Sequence, residues 1–277
     1  MEILARGGLY RPLAKPPHDT LLGMALVEAT HLVKQFELAA GQAPVCAVDD
    51  VSFSIEPGET LGLVGESGCG KSTLGRLLLR LIEPTSGSVR YDGQELTTLD
   101  ARALRDTRRK MQIIFQDPFA SLDPRMTVAE IVSEPIAIHE HLGQALLMQH
   151  AAELIAMVGM DASALGRYPH EFSGGQRQRI GIARALALRP HFIVADEAVS
   201  ALDVSVAAQI VNLLQKLQKE MGLTYLFISH SMPVVRYLST RIAVMKAGKI
   251  VEIGDTEQIT TVPRHAYTKE LLKAVEG

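Results

Sequence analysis

The spacing of apolar residues indicates two kinds of β-strand. Residues 25–36 and 47–55 alternate apolar or β-branched side chains with polar ones, which predicts antiparallel strands at one edge of the protein. Residues 60–64, 192–195 and 225–229 are instead short apolar runs, the pattern of strands buried on both faces. The sequence therefore predicts an antiparallel edge and a buried sheet.

Segments with helical spacing of apolar residues alternate with the buried runs. Residues 72–82, 174–188 and 204–221 predict helices between successive strands, the order of a parallel sheet covered on both faces. Two further segments, residues 127–139 and 144–160, predict amphipathic helices that form a separate lobe. The remaining predicted elements are four strands and a final helix, at residues 86–91, 111–115, 241–246, 249–253 and 265–275.

Composition limits the possible functions. The chain has 277 residues, 47% of them hydrophobic, and a formal net charge of -3, which argues against nucleic acid as a partner. Its two cysteines, Cys46 and Cys69, form no disulfide or metal pattern, which fits a reducing compartment. Charges interrupt every hydrophobic run before it reaches membrane-spanning length. Residues 1–23 are predicted to be a flexible tail, and residues 24–277 the folded domain.

A glycine-rich segment carries a specific phosphate-binding pattern. Residues 65–72 match G-x-x-x-x-G-K-[ST] between a predicted strand and a predicted helix. Glycines let backbone N–H groups point at phosphate oxygens, Lys71 supplies positive charge for the β and γ phosphates, and Ser72 is a candidate Mg²⁺ ligand. The alternative is a glycine-rich turn with a chance lysine. The predicted ATP contacts are Gly65, Glu66, Ser67, Gly68, Cys69, Gly70, Lys71, Ser72 and Thr73.

Two carboxylates end the apolar run at residues 192–195. Asp196 is the candidate for the magnesium shell, and Glu197 is the candidate that polarises the water attacking the γ-phosphate. A strand that ends in two acids could also simply enter a solvated loop. The phosphate loop elsewhere in the same predicted sheet favours the catalytic interpretation.

Residues 172–176, Phe-Ser-Gly-Gly-Gln at a predicted helix start, resemble the hallmark of ABC ATPases. The resemblance spans residues 25–277 and implies an α/β fold: a RecA-like P-loop NTPase parallel-sheet core, an antiparallel β edge subdomain and a helical subdomain inserted at about residues 127–167. It also implies a head-to-tail dimer in which one subunit contacts its partner's ATP. A bare Ser-Gly-Gly helix cap is the alternative. The residues implied for the partner's ATP are Ser173, Gly174, Gly175, Gln176 and Asp203.

Other positions match the family one by one. Phe36 resembles the aromatic residue that stacks on adenine, although a core aromatic at a strand end is nearly as well supported by its neighbours. Gln116 resembles the glutamine that reaches Mg²⁺ and the attacking water. His230 resembles the switch histidine at the γ-phosphate. The resemblance therefore assigns ATP hydrolysis to Lys71, Gln116, Glu197 and His230.

Two residues depart from the family pattern. Ala198 stands where proline is usual, and Ser231 stands where aspartate is usual. Neither change removes a catalytic atom. Loss of the acid at position 231 is expected to alter hydrogen bonding in the switch loop and to slow turnover.

Residues 115–128 and 224–230 resemble the peptide and nickel importer branch of the family. This resemblance implies an ATPase at the cytoplasmic face of the membrane, with two transmembrane permease subunits, a second homologous ATPase and an extracytoplasmic solute-binding protein. Peptide is the first candidate substrate, and nickel or another small solute is the second. A soluble ABC ATPase of DNA repair or translation and an exporter motor are the rival functions.

Overall fold

The computed structural model describes residues 25–37, 43–117 and 119–276, so the predicted tail at residues 1–23 lies outside the described residues. The strands are β1 Val27–Phe36, β2 Val45–Ile55, β3 Thr60–Val64, β4 Ser86–Tyr91, β5 Gln94–Glu95, β6 Met111–Ile114, β7 Phe192–Asp196, β8 Thr224–Ile228, β9 Arg241–Lys246 and β10 Lys249–Asp255. The helices are α1 Lys71–Leu78, α2 Ala101–Arg108, α3 Val128–His139, α4 Gln144–Met157, α5 Gly174–Leu186, α6 Val204–Met221, α7 Met232–Leu238, α8 Thr256–Thr261 and α9 Ala266–Glu276.

The main sheet has the strand order β10-β9-β3-β8-β7-β6. Every pairing is parallel except that of β10 with β9, and the three central strands are buried throughout. The predicted parallel sheet is therefore confirmed. The carboxyl ends of β3, β7 and β8 meet at one edge, where open α/β sheets bind their ligands.

Side chains along β7 alternate between two cores. Ile193 and Ala195 belong to the core that contains α5 and α6, whereas Phe192 and Val194 belong to the core that contains α1. Because the side-chain period of a strand is two, Asp196 extends the second series toward α1. The carboxylate of Asp196, the last residue of β7, thus lies on the side of the phosphate loop.

A second, antiparallel sheet has the order β2-β1-β4-β5, which confirms the predicted antiparallel edge. The pairing of β1 with β2 is irregular around His31 and Asp50, which have φ angles of 48° and 55°. Their side chains form an exposed ion pair with His31 Nδ1 2.7 Å from Asp50 Oδ1. Irregularities of this kind locally interrupt the ladder of backbone hydrogen bonds and increase the twist of the strands.

Helices α3 and α4 pack against each other and against α5. Thr127 is the N-cap of α3 and forms a capping box with Glu130. Helix α4 ends three residues before its predicted limit because Gly159, at φ 73°, turns the chain into the left-handed region. Its Ile155 lies in the same core as Ile193 of β7. The helical subdomain boundaries, about 127–167, stay a prediction.

Other boundaries also differ from the predicted ones. Helix α1 ends at Leu78 rather than residue 82 because Arg80 has a φ of 48°. Helices α2, α7 and α8 were not predicted, since each has eight residues or fewer, which is shorter than the window in which helical periodicity is recognised. No helix in the described ranges is both long and apolar enough to cross a bilayer.

Candidate functional site

Residues 65–70 join β3 to α1 and lie against two other strands. A Cβ atom at Gly70, where φ is 108°, would lie 2.0 Å from the carbonyl oxygen of Ala47 in β2. A Cβ atom at Gly65 would lie 2.1 Å from the carbonyl oxygen of Met245 in β9. Because both neighbours are backbone atoms, no other residue fits at either position without displacing a strand. Glycine therefore fixes the path of the loop.

The Lys71 side chain folds back into this loop, and the residue is only 4% exposed. Lys71 Nζ donates hydrogen bonds to the carbonyl oxygens of Gly65 and Glu66, both at 2.8 Å. Glu66, Ser67 and Gly68 form the exposed side of the loop. A positive charge and the N-terminus of α1 therefore converge where a phosphate group would be attracted.

Cys69 and Thr73 lie on the inner side of the loop and in the first turn of α1. Burial raises the pKa of the Cys69 thiol, and the nearby charge of Lys71 offsets part of that effect. The thiol is therefore neutral at physiological pH, which fits a small packing residue. Thr73 is half-buried.

Ser72 and Asp196 meet between α1 and the end of β7. Ser72 Oγ donates a hydrogen bond to Asp196 Oδ1 at 2.7 Å. Burial raises the pKa of Asp196, and the hydrogen bond from Ser72 acts in the opposite direction. Hydroxyl and carboxylate oxygens are ligands that suit Mg²⁺. The described residues contain no cluster of three His, Cys, Asp or Glu suited to a metal, but Mg²⁺ held largely by phosphates and water needs none.

Glu197 joins two other predicted site residues beside this pair. Gln116 Nε2 donates a hydrogen bond to Glu197 Oε2 at 3.1 Å, and His230 Nδ1 lies 3.5 Å from the same oxygen. The backbone N–H of Glu197 donates to the carbonyl oxygen of Ile228 at 3.0 Å, and Glu197 has a φ of 47°. The ends of β6, β7 and β8 thus bring all three side chains together.

The two unusual residues lie beside this cluster. Ala198 is buried in the core. Ser231 precedes α7, but its side chain makes no cap hydrogen bond to the helix. Its backbone N–H instead donates to Ser229 Oγ at 3.0 Å, so Ser229 accepts a hydrogen bond in the loop between β8 and α7.

The residues predicted to contact a partner's ATP form a second group, at the starts of α5 and α6. Ser173 and Gln176 form a capping box, with the Ser173 N–H 3.0 Å from Gln176 Oε1. A Cβ atom at Gly175 would lie 2.3 Å from Val206 Cγ1, so glycine permits close packing of α5 on α6, and Gly174 lies beside Leu202. Asp203 Oδ1 caps α6 by accepting the Val206 N–H at 2.9 Å. Within the described ranges, no hydrogen bond or ion pair connects this group to Lys71.

Phe36 is the last residue of β1 and pairs with Val45. Its side chain is 40% exposed, and Lys34 Nζ lies 5.0 Å from the ring centroid. The aromatic face is therefore at the surface of the antiparallel sheet and not in its core. An adenine contact at Phe36 stays a prediction.

A cleft of about 630 Å³ opens beside Gln116, between the main sheet and the helical layer. Arg76 of α1, Glu134 of α3 and Arg184 of α5 contribute to its lining. Burial lowers the pKa of Arg184, and Glu134 acts in the opposite direction. Asp196 and Gln116, which contacts Glu197, both line this charged cleft, so the cleft opens directly onto the site.

The sequence did not indicate one contact with the phosphate loop. The backbone N–H of Glu66 donates a hydrogen bond to Tyr267 Oη of α9 at 3.2 Å. The two residues are 201 positions apart. In the sequence, Tyr267 is one apolar position of a predicted amphipathic helix. No local pattern could therefore have identified its contact with the phosphate loop.

The structure combines three features around one sheet: a phosphate loop, an acid pair at the end of β7 and a capped Ser-Gly-Gly helix start. Together they define a nucleotide-binding P-loop NTPase. Residues 48–200 match the ABC transporter family. The chain belongs to this family and is an ATPase.

The names of similar proteins within this family refer to the transport or import of peptides. The oligopeptide transport ATP-binding protein OppF of Bacillus subtilis is 55% identical over 252 residues, which cover 90% of this chain and 82% of that protein. The glutathione import ATP-binding protein GsiA of Pectobacterium atrosepticum is 50% identical over 266 residues, which cover 94% of this chain and 43% of that protein.

Solved structures agree with the fold. The dimeric, post-hydrolysis ATP-binding cassette MJ0796, bound to ADP and Pi, superposes with a TM-score of 0.76 at 31% identity, covering 83% of this chain and 98% of that one. The cbiO1 protein of Clostridium perfringens also reaches 0.76, at 24% identity, over 92% and 95% of the two chains. The latter similarity shows the fold alone.

Proposed function

We propose that the chain is the ATP-hydrolysing subunit of a peptide importer. The relatives named for oligopeptide transport match it over 90% or more of its length. A relative named for glutathione import agrees, because glutathione is itself a tripeptide. The observation that carries the catalytic part of the proposal is the convergence of Gln116 and His230 on one oxygen of Glu197.

Each residue of the cluster has a separate role. Lys71 and the backbone N–H groups of residues 65–73 hold the β and γ phosphates of ATP. Glu197 orients the attacking water and accepts its proton, and Gln116 fixes the direction of the Glu197 carboxylate. His230 contacts the γ-phosphate. Ser72 Oγ and the Asp196 carboxylate would hold Mg²⁺, which would neutralise charge on the phosphates.

The second group acts on the ATP of another subunit. Ser173, Gly174, Gly175 and Gln176 present the N-terminus of α5, an end that attracts anions, and Asp203 lies at the neighbouring start of α6. The group has no bond to its own phosphate loop within the described ranges, which supports a role across a dimer interface. The partner is a second, homologous ATPase, as in a heterodimer.

The remaining partners follow from the importer assignment. Two transmembrane permease subunits form the pathway, and an extracytoplasmic protein delivers the peptide. The ATPase is a peripheral protein at the cytoplasmic face of the membrane. The cleft beside Gln116 is the proposed permease contact, because Gln116 lines it and also contacts Glu197.

Purification of the tagged chain from gently solubilised membranes tests the assembly. Mass spectrometry should identify two multi-span permeases and a second ATPase, and recovery of only soluble or nucleic-acid-bound partners would exclude the importer. In cells that lack the gene, the wild-type chain should restore uptake of a labelled tripeptide, whereas Glu197→Gln should not. Restored uptake of nickel but not peptide would contradict the proposed substrate.

A further inference from the structure

The C-terminal helix α9 reaches the phosphate loop through one side chain. Tyr267 is 3% exposed, and its Oη accepts the Glu66 N–H at 3.2 Å. Lys246 Nζ lies 4.4 Å from the centroid of the tyrosine ring, which fixes the ring from the side of β9. Burial raises the pKa of Tyr267, so its hydroxyl stays uncharged and accepts the Glu66 N–H hydrogen bond as a neutral group. The contact is therefore a neutral, oriented hydrogen bond.

The same peptide group also holds the catalytic lysine. The carbonyl oxygen of Gly65 accepts a hydrogen bond from Lys71 Nζ at 2.8 Å, and the N–H of Glu66 belongs to the same peptide bond. A peptide group is planar, so its N–H and C=O directions cannot change independently. A side chain that fixes the N–H direction therefore also fixes the carbonyl that holds the Lys71 ammonium.

The start of α9 is itself anchored. Glu252 of β10 accepts the backbone N–H of Arg264 at 2.8 Å and that of His265 at 3.0 Å. Gln258 Nε2 of α8 donates to the same carboxylate at 3.1 Å. These contacts fix the residues immediately before Tyr267. A continuous series of hydrogen bonds thus runs from β10, through the start of α9, to the phosphate loop.

We propose that Tyr267 is a positioning residue that orients the Gly65–Glu66 peptide and, through it, the Lys71 ammonium. The C-terminal helix thereby sets the ATP affinity of the loop. The proposal rests on the ATP-binding role proposed above for residues 65–73. If Tyr267 only filled space, removal of its hydroxyl would have no effect on ATP binding.

Tyr267→Phe removes the hydroxyl and keeps the ring. Loss of one neutral hydrogen bond corresponds to about a two- to tenfold change in an equilibrium constant. We expect the Kd and KM for ATP to rise by about that factor, with kcat within about twofold of wild type. Tyr237→Phe is the matched control, because the Tyr237 hydroxyl also makes one hydrogen bond, which it donates to Asn212 Oδ1 at 3.0 Å on the exposed side of α7.

Two comparisons separate the possible failures. If the wild-type protein binds no ATP, or if Lys71→Ala binds ATP as tightly as wild type, the proposed ATP-binding role of residues 65–73 is rejected. If both behave as expected and Tyr267→Phe matches Tyr237→Phe in Kd and KM, the inference about Tyr267 is overturned. Should Tyr267→Phe not fold, Glu252→Gln becomes the test, since it weakens the anchor of α9 and leaves the ring intact. A raised KM in that variant supports the proposal, and an unchanged KM rejects it.

Discussion

Replacing Glu197 with glutamine should abolish chemistry without weakening the fold. Glutamine has the same size, and its carbonyl oxygen can still accept the hydrogen bond that Gln116 donates to Glu197 at 3.1 Å. Burial is the main cause of the raised pKa of Asp196, and the charge of Glu197 adds to it. Removing that charge therefore relieves repulsion between adjacent carboxylates. We expect the melting temperature of Glu197→Gln to equal or exceed that of wild type.

The size of the kinetic effect follows from the role of the carboxylate. An amide can orient water but cannot accept its proton, and a positioned general base contributes roughly 10²- to 10⁴-fold to a rate. Hydrolysis should therefore fall by that factor, or about 3–5 kcal/mol in activation free energy. ATP binding should stay within about threefold of wild type, because the Lys71 contacts and the loop amides are unchanged.

Single-turnover release of phosphate measures the chemical step, and equilibrium binding of a fluorescent ATP analogue measures affinity. Glu220→Gln is the control, because Glu220 is exposed on α6 and its only ion-pair partner in the described residues is Lys216, at 3.9 Å. Hydrolysis within about fivefold of wild type would refute the role of Glu197 as proton acceptor. A large loss of ATP binding or thermal stability would instead assign Glu197 a structural role.

Three other substitutions test the geometry. Gly70→Ala should prevent ATP binding and lower the melting temperature by several degrees, as seen by calorimetry, because the new methyl group meets a backbone carbonyl at 2.0 Å. Gly175→Ala should cost about 1–3 kcal/mol in denaturant unfolding, since Val206 Cγ1 must move from 2.3 Å; an unchanged midpoint would contradict this. The hydrogen bond from Arg125 lowers the pKa of Asp123 to about 2, so the pair should persist as pH falls below 4 and be lost near 2. Carbon NMR should show that Arg125→Gln returns this pKa toward its ordinary value.

The sequence predicted the strand, glycine-rich loop and helix around residues 65–72 because the pattern is local. Glycines, Lys71 and Ser72 are contiguous, and the pattern needs only a strand before it and a helix after it. The buried strands β3, β7 and β8 were equally clear as short apolar runs. Helix ends were less clear, because Gly159 and Arg80 adopt left-handed backbone conformations that apolar spacing does not encode.

The convergence of distant residues was only partly predictable. Gln116, Glu197 and His230 were grouped by resemblance, and nothing in their local sequence fixes their mutual distances. Tyr267 shows the limit more sharply, because its partner lies 201 positions away and the bond joins a side chain to a backbone N–H. Any residue type except proline could donate that N–H, so the sequence pattern does not identify the partner.

The alternation of β7 between two cores limits how this gene can change in length. Deleting one codon within residues 192–195 would leave an apolar strand that still pairs with β6 and β8. It would nevertheless exchange the faces of the residues on one side of the deletion. Either the packed side chains or the carboxylate aimed at Ser72 would then point the wrong way. Insertions and deletions that preserve function should therefore accumulate in connections such as residues 140–143, between α3 and α4, while β7 keeps its length.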